Sequence, residues 1–341
     1  MKGRIEAATV HSRRSGKPGN VPSVTGFLRV RALAKINLDL RVLGLRPDGY
    51  HELRTVFQTI SLADTIDIAF TPGRKISIEV EDGLGIPDNL AARAARMALA
   101  AMCVTGRVQM RIDKRIPMGA GLGGGSSDAA AVLLALPVLA GRRVELPELC
   151  RLAEQLGSDV PFFLLGGRAV GIGRGSELFP LPDEPSLPGL LVVPAVHVST
   201  PEAYRRLSPR LTSESQQNKI FSFQSRTWNG VGREPACNDF EAVVFEQHRS
   251  LARLKKRLVG AGASVAMMTG SGAGVFGLFR TREEVTLALD SLGSLENQKA
   301  YRISLVSRQR YRSLWWGALK EHTTQKTWPP QSRYLRCPTT V

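Results

Sequence analysis

The chain of 341 residues lacks any apolar run of about 18 residues, so no membrane-spanning helix and no membrane partner are expected. Its four cysteines are scattered without paired spacing, which predicts free thiols in a reducing compartment. No cluster of His, Cys and Asp residues indicates a structural metal. These absences exclude membrane, disulfide-stapled and zinc-held proteins. The hydrophobic content of 43% is that of an ordinary globular protein.

Acidic residues are scarce at the two ends of the chain. Residues 1–31 and 302–341 hold 15 of the 46 Lys and Arg but only 2 of the 30 Asp and Glu. The net charge of +16 keeps an RNA-binding alternative open. Because the excess lies in the ends, we expect no basic face on the core and no specific nucleic-acid partner.

The first 24 residues are polar and basic, without apolar periodicity, which predicts a disordered N-terminal extension. The segment is too polar for a secretory signal, although it has some of the Arg- and Ser-rich character of a plastid or other organelle transit peptide. We therefore favour a cytoplasmic location over a plastid one.

A glycine-rich stretch, Pro117–Ala131, is the strongest local sign of chemistry. Five glycines fall between Gly119 and Gly125, and Ser-Ser-Asp then precedes an apolar run that predicts a helix with an N-cap among these three residues. A glycine loop at a helix N-terminus presents free N–H groups to a phosphate. The alternative is a flexible turn before a core helix. No lysine follows the glycines as in a Walker loop, so a cation must come from elsewhere in the chain.

Alternating apolar residues over Leu28–Val42 predict a strand on which Lys35 and Asn37 share the polar face. Further predicted strands and helices follow in uneven order, without strict βαβ repeats. This order indicates an α+β fold.

Three pairs of segments together resemble the GHMP small-molecule kinases. They are Ala34–Leu38 with Arg46–His51, Pro117–Ala131 with Gly157–Phe163, and Thr269–Gly274 with Val275-Phe276. The Asp-Gly-Tyr-His run at 48–51 resembles the branch acting on 4-diphosphocytidyl-2-C-methyl-D-erythritol, rather than the homoserine or mevalonate kinases. The resemblance implies MgATP-dependent phosphorylation of the 2-hydroxyl of that substrate, in the non-mevalonate route to isoprenoid precursors.

The same resemblance implies a two-domain α+β fold with the active site in the cleft. A ribosomal-protein-like N-terminal domain would span residues 25–188, and a smaller α/β domain would span 189–312. A basic C-terminal extension would follow at 313–341. The chain would be a monomer or a homodimer.

Asp159 would be the general base, and Lys35 would keep it ionised and orient the reacting groups. From the residues alone, Asp159 as a helix cap and Lys35 as a solvated strand residue stay open. ATP would bind the glycine loop, with Ser126 or Ser127 near Mg²⁺ and no other metal ligand implied. The ATP-binding residues are Pro117, Met118, Gly119, Ala120, Gly121, Leu122, Gly123, Gly124, Gly125, Ser126 and Ser127.

The resemblance also implies a set of substrate-binding residues. Tyr50 would stack on the cytosine and His51 would read its edge, with Tyr204 as a second aromatic where the family more often has Phe. The remaining members would contact the hydroxyl, methylerythritol and phosphate groups. The full set is Asn37, Tyr50, His51, Thr200, Tyr204, Gly270, Ser271 and Gly272.

Overall fold

The computed structural model describes residues 26–211, 217–224, 237–293 and 297–335, and it has an α+β fold with two sheets. The predicted N-terminal extension lies outside the described residues. The strands are β1 (Gly26–Leu45), β2 (His51–Pro72), β3 (Ser77–Glu81), β4 (Gly106–Asp113), β5 (Arg168–Gly173), β6 (Glu177–Pro180), β7 (Pro188–Pro194), β8 (Val265–Met268), β9 (Val275–Leu278) and β10 (Gln298–Ser304). The helices are α1 (Leu90–Ala101), α2 (Gly124–Leu139), α3 (Leu146–Leu156), α4 (Val160–Leu165), α5 (Thr200–Leu207), α6 (217–224), α7 (Glu241–Gln247), α8 (Arg249–Gly260), α9 (Arg282–Ser291) and α10 (Arg308–Ala318). None of these helices has the length and apolar character needed to cross a bilayer.

The long antiparallel pair β1–β2 forms the centre of the first sheet. The alternation at the start of β1 puts every second side chain in the core, as the sequence predicts. From Ala34 to Leu40 every residue is buried, because the strand runs there between two layers of structure. The register shifts between Leu33 and Lys35 and again after Asn37. These irregularities lie directly at the two polar residues of interest.

The first sheet has the order β3-β4-β2-β5-β6, with β1 on β2, and helices α1 to α4 pack against it. Helix α2 is apolar on all sides because it lies in the middle of this layer, with every residue from Ser127 to Leu139 buried. The glycine-rich stretch enters this central helix, so its position is fixed by the core of the domain.

The second sheet has the order β10-β7-β9-β8, and helices α5, α7, α8 and α9 supply residues to its core. Leu40 and Val42 of β1 belong to this second core, whereas Leu28 and Val30 belong to the first. Strand β1 therefore contributes side chains to both hydrophobic cores and joins the two domains.

The C-terminal segment 308–335 folds back onto the first domain. Tyr311, Trp315 and Leu319 are buried in its core, and Trp328 packs against the same cluster. The sequence analysis predicts a basic extension at 313–341, because residues 302–341 hold eight Lys and Arg but one Glu. The described part of that segment instead carries apolar side chains that complete the N-terminal core. The predicted domain boundaries stay predictions.

Candidate active site

A cavity of about 820 Å³ lies between the two domains. Its walls come from β1, the glycine loop, the residues that precede α4, the start of α5, and the loop between β8 and β9. A second cavity of about 730 Å³ is lined by Arg29, Arg31, Arg111 and Arg115 and includes none of the predicted site residues. The first cavity gathers the predicted residues that lie far apart in sequence, so it is the candidate site.

Lys35 and Asp159 form an ion pair in this cavity. The Lys35 Nζ atom lies 3.2 Å from Asp159 Oδ2, and the lysine side chain is 5% exposed while that of Asp159 is 33% exposed. Lys35 Nζ also donates to Asn37 Oδ1 at 2.9 Å and lies 5.3 Å from the centre of the Phe57 ring. Lys35 is thus not a solvated strand residue, and its charge is directed at a carboxylate that solvent still reaches.

Asp159 occupies the N-cap position of α4, where Pro161 lies in the first turn. Its side chain makes no capping hydrogen bond to the helix. The capping alternative is therefore not what the structure shows, since the carboxylate faces Lys35 instead. A carboxylate held by a buried ammonium and open to a cavity can accept a proton from a bound hydroxyl group.

Asn37 joins β1 to the loop between β8 and β9. Its Oδ1 atom accepts from Gly270 N at 3.0 Å as well as from Lys35, and its Nδ2 atom donates to Thr55 Oγ1 at 2.8 Å. The side chain is almost fully buried. Asn37 therefore fixes Lys35 and the Gly270 backbone relative to each other, and its predicted contact with substrate stays a prediction.

The glycine loop adopts a backbone that favours glycine. Gly119, Gly121 and Gly123 have φ angles of +67°, +74° and +69°. A Cβ atom on Gly121 would lie 2.2 Å from the Thr269 carbonyl oxygen, and one on Gly123 would lie 2.9 Å from the Phe163 ring. The glycine loop therefore packs closely against α4 on one side and against the β8–β9 loop on the other.

Helix α2 begins one residue after Gly123, which is its N-cap and offers no side chain for capping. The predicted N-cap among Ser126, Ser127 and Asp128 is wrong, because these residues lie inside the first turns. The open N–H groups at the start of a 16-residue helix face the cavity region instead, together with the dipole of the helix. This arrangement is suited to binding phosphate.

The side chains of the other predicted loop residues point to different surroundings. Ala120 and Leu122 bury their side chains in the core, whereas Met118 is exposed. Ser127 is buried and donates through Oγ to the Leu33 carbonyl at 2.7 Å, whereas Ser126 lines the cavity. Of the two serines predicted near Mg²⁺, only Ser126 thus lines the cavity.

A buried ionic cluster lies beneath the loop. Lys114 Nζ contacts Asp64 Oδ2 at 2.5 Å and Asp128 Oδ2 at 2.7 Å, and Asp64 Oδ1 accepts from the Arg115 and Ile116 amides. Two carboxylates thus share one ammonium group. Burial, with Asp64 nearby, raises the pKa of Asp128 to about 7 despite the charge of Lys114. The cluster ties the first turn of α2 to the end of β4.

Replacing Asp128 with asparagine is expected to alter how stability depends on pH. Between pH 4 and 7 the unfolded chain loses the Asp128 proton while the folded protein keeps it, because the pKa rises from 3.8 to about 7 on folding. The stability that the raised pKa of Asp128 contributes is therefore lost as the pH rises through this interval. Between pH 4.5 and 7.5 we expect the melting temperature of the wild-type protein to fall by roughly 2–6 °C relative to that of the Asp128→Asn protein. Equal pH slopes in the two proteins would contradict this, and exposed Asp113→Asn is the control.

The β8–β9 loop, Thr269–Gly274, closes on the glycine loop. Gly274 N donates to the Ala120 carbonyl at 3.3 Å, and Thr269 Oγ1 donates to the Gly121 carbonyl at 3.3 Å. Ser271 Oγ lies 2.7 Å from Thr200 Oγ1 at the start of α5. The predicted substrate residues of both segments are therefore brought together at one edge of the cavity.

The far end of the cavity is aromatic. The His51 and Tyr204 rings stack with centroids 4.5 Å apart, and His51 Nε2 lies 2.8 Å from Ser208 Oγ. Partial burial lowers the pKa of His51, so the imidazole is neutral at pH 7. Tyr50 is 52% exposed, and the Arg174 guanidinium carbon lies 3.5 Å from its ring centroid. Tyr204 thus packs on His51 and lines the cavity, and its predicted contact with the cytosine stays a prediction.

Two residues at or next to the cavity are not predicted from the sequence. Arg174 lies in the turn between β5 and β6, and its only sequence signal is a basic residue between two glycines. Asn238 is nearly fully buried and donates from Nδ2 to the carbonyls of Met268 and Gly270, both at 2.8 Å. The asparagine holds the β8–β9 loop from outside the cavity, and no local pattern marks it.

Comparison with known proteins gives matches over both domains. Residues 89–167 match the model for the GHMP kinases N terminal domain, and residues 224–297 match that for GHMP kinases C terminal. The chain is 66% identical over 316 residues to 4-diphosphocytidyl-2-C-methyl-D-erythritol kinase of Solibacter usitatus. The aligned residues cover 92% of this chain and 99% of that relative.

More distant relatives carry the same name. The kinase of Pelobacter propionicus is 42% identical over 265 residues, 75% of this chain and 91% of that relative. A crystal structure of 4-(cytidine 5'-diphospho)-2C-methyl-D-erythritol kinase has a TM-score of 0.68 and 36% identity. It covers 82% of this chain and 99% of that chain.

Proposed function

Since the chain belongs to the GHMP kinases, within the family of 4-diphosphocytidyl-2-C-methyl-D-erythritol kinases, we propose that it phosphorylates the 2-hydroxyl of that cytidylyl alcohol with ATP. The product would be the 2-phosphate, in the methylerythritol phosphate route to isoprenoid precursors. The observation that carries this proposal is the Lys35–Asp159 pair, which lies in one cavity with the glycine loop and the His51–Tyr204 end. The bacterial relatives and the free thiols of the described cysteines support a cytoplasmic location.

The proposed reaction moves one proton and one phosphoryl group. Asp159 accepts the proton of the 2-hydroxyl while that oxygen attacks the γ-phosphorus, and the bond from the γ-phosphorus to the β-phosphate oxygen breaks to release ADP. Lys35 holds the Asp159 carboxylate through the ion pair and offers its ammonium group to the negative charge of the transferred group. The β8–β9 loop covers the glycine loop, which would limit the access of water.

The residues of the glycine loop fit the triphosphate of ATP. Positive φ angles at Gly119, Gly121 and Gly123 open the backbone, and helix α2 directs its first N–H groups outward. A Mg²⁺ ion bound with ATP would neutralise phosphate charge. Among the described residues no group of three or more His, Cys, Asp or Glu could hold a metal by itself. The cavity-lining Ser126 would be within the region of the phosphates and could contact the ion together with them.

The aromatic end fits a pyrimidine base. His51 Nε2 contacts Ser208 Oγ, which leaves Nδ1 of the neutral imidazole to donate or accept at the cytosine edge. Tyr50 presents an exposed ring at the mouth of the cavity, with Arg174 against it. We propose that cytosine stacks on Tyr50 and that Arg174 adds positive charge on the side from which a diphosphate enters.

Replacing Tyr50 with alanine is expected to weaken substrate binding and leave the chemical step nearly intact. The loss of base stacking corresponds to roughly 1–3 kcal/mol, or about 5- to 150-fold in KM for the cytidylyl alcohol. Steady-state kinetics with each substrate varied in turn would measure it, and KM for ATP should stay within about twofold. Tyr334→Ala is a matched control, because this tyrosine is 48% exposed and also faces an arginine, Arg333. An unchanged KM for the cytidylyl alcohol would reject the stacking role.

A substrate panel tests the proposed function as a whole. ADP release would be measured with 4-diphosphocytidyl-2-C-methyl-D-erythritol, homoserine and mevalonate as acceptors, and the product would be identified by phosphorus NMR. We expect turnover with the first acceptor alone. Preference for homoserine or mevalonate would assign the chain to another GHMP kinase activity. No turnover, combined with salt-sensitive RNA binding by the full chain, would favour the RNA-binding alternative.

A further inference from the structure

The C-terminal segment 308–335 makes an unexpected contact with the helix that follows Asp159. Helix α4 has only six residues, Val160–Leu165, and it would be marginal alone. A helix leaves its last carbonyl groups without partners, and these need donors from outside. The Phe162 carbonyl accepts from Gly166 N at 2.8 Å. The next two carbonyl groups are satisfied by side chains that lie about 150 residues further along the chain.

Tyr311 and Trp328 supply those two donors. The Tyr311 hydroxyl donates to the Phe163 carbonyl at 2.5 Å, and Trp328 Nε1 donates to the Leu164 carbonyl at 2.8 Å. Burial raises the pKa of Tyr311, so its hydroxyl stays protonated and remains a donor at any physiological pH. Both bonds are made to consecutive carbonyls at the C-terminal end of α4, and they fix its position and its rotation.

The fit around these donors is close. A Cβ atom on Gly166 would lie 2.3 Å from the Tyr311 ring, so the ring rests directly on the backbone that ends α4. Trp328 contacts the rings of Tyr311, Trp315 and Trp316, with centroids 5.7–6.3 Å apart. The aromatic cluster therefore holds the two donors in place as one packed unit.

Two side chains of α4, Phe162 and Phe163, contact residues that lie next to the reacting groups. Phe162 contacts the Phe57 ring at 5.0 Å, and Phe57 in turn lies under Lys35 Nζ. Phe163 packs where a Cβ on Gly123 would be. With Asp159 directly before its first residue, α4 is a short rigid link between the aromatic cluster and the Lys35–Asp159 pair. A shift at its C-terminal end would move the carboxylate.

We propose that Tyr311 and Trp328 are positioning residues that hold Asp159 against Lys35 through helix α4. The inference rests on the proposed role of Asp159 as proton acceptor. Both matched family models end before residue 308, so the segment supplies this function from beyond the two matched domains. A catalytic group 1 Å out of place can cost about 10²-fold in rate.

Conservative variants test the proposal. Tyr311→Phe and Trp328→Phe remove the donor and keep an aromatic ring, and we expect kcat to fall by roughly 10- to 100-fold with KM for ATP nearly unchanged. Trp316→Phe is the matched control, because Trp316 packs in the same cluster, whereas the described hydrogen bonds from that cluster to α4 come from Tyr311 and Trp328. Thermal unfolding identifies variants that are folded at the assay temperature.

The decisive measurement combines Tyr311→Phe with Asp159→Asn. If Tyr311 acts through Asp159, the second substitution removes most of the effect of the first on kcat. A Tyr311→Phe effect that is the same in both backgrounds, or a folded variant with wild-type kcat, would overturn the proposal. Hydrogen exchange of the α4 amides gives a readout independent of turnover, with faster exchange expected in Tyr311→Phe but not in Trp316→Phe. Unchanged α4 exchange would also overturn the proposal, whereas a wild-type protein inactive on every acceptor would refute the proposed function instead.

Discussion

The Asp159→Asn protein is expected to bind ATP normally but to turn over at least on the order of 10²-fold more slowly than the wild type. The amide keeps the size of the side chain and a contact to Lys35, but it cannot accept the proton of the hydroxyl group. Since the carboxylate makes no capping bond to α4, its loss should not unfold the helix. The measurement is kcat with saturating ATP and acceptor, together with the Kd for a non-hydrolysable ATP analogue.

The control for this substitution is Asp113→Asn, which removes an exposed carboxylate paired with Arg115 on the first sheet. It should leave kcat within about twofold, because Asp113 does not line the candidate site. It should also leave the fold intact, because exposed ion pairs contribute little to stability. Near-normal turnover by Asp159→Asn would remove this residue from the mechanism. A weakened Kd for the ATP analogue would instead indicate that Asp159 acts by organising the phosphate site.

The Gly121→Ala protein is expected to lose most of its ability to use ATP, with kcat/KM for ATP lower by about 10²-fold. Two effects add at this position. The φ angle of +74° is strained for alanine, and its Cβ would lie 2.2 Å from the Thr269 carbonyl oxygen, which belongs to backbone and cannot rotate away. The glycine loop and the β8–β9 loop must therefore move apart. Kinetics with ATP varied, alongside the melting temperature, would separate lost binding from unfolding.

Gly125→Ala is a matched control in the same loop. Gly125 lies within α2, and a Cβ there would lie 3.6 Å from the Leu90 side chain, an ordinary contact distance. We expect this variant to keep kcat/KM for ATP within about threefold. Its folding stability should also be kept, because alanine favours a helix more than glycine does. Equal effects of the two substitutions would show that the loop tolerates any change poorly, contrary to the specific clash at Gly121.

Much of the first domain could be predicted from local pattern. The alternation of residues 28–42 indicates a strand, and it places Lys35 and Asn37 on one side before any fold is known. The glycine loop before an apolar run indicates a loop and a central helix. Even here the local rule failed at the helix start, because Gly123 holds the N-cap position while Ser127 and Asp128 have partners distant in sequence.

The rest depends on contacts that the sequence pattern does not encode. The pairing of Lys35 with Asp159 joins β1 to the start of α4, and only the resemblance to known kinases suggested it. The packing of Tyr311 and Trp328 on α4 had no sequence signal, since the charge of this segment indicated only a basic C-terminal extension. Arg174 lies in a turn and Asn238 at an isolated bridge to Leu40, and in both places residue type alone does not reveal where the side chain points.

Strand β1 has a consequence for how the protein is made on the ribosome. Leu40 and Val42 belong to the core of the second domain, and the Leu40 backbone bonds to Cys237 and Asp239. These partners are synthesised about 200 residues later, at 5–20 residues per second, so the end of β1 waits on the order of 10–40 s before it can pair. The cleft thus cannot be completed before this part of the second domain has been synthesised. A chain cut between residues 188 and 189 would give a second half that folds only when the first half is supplied with it.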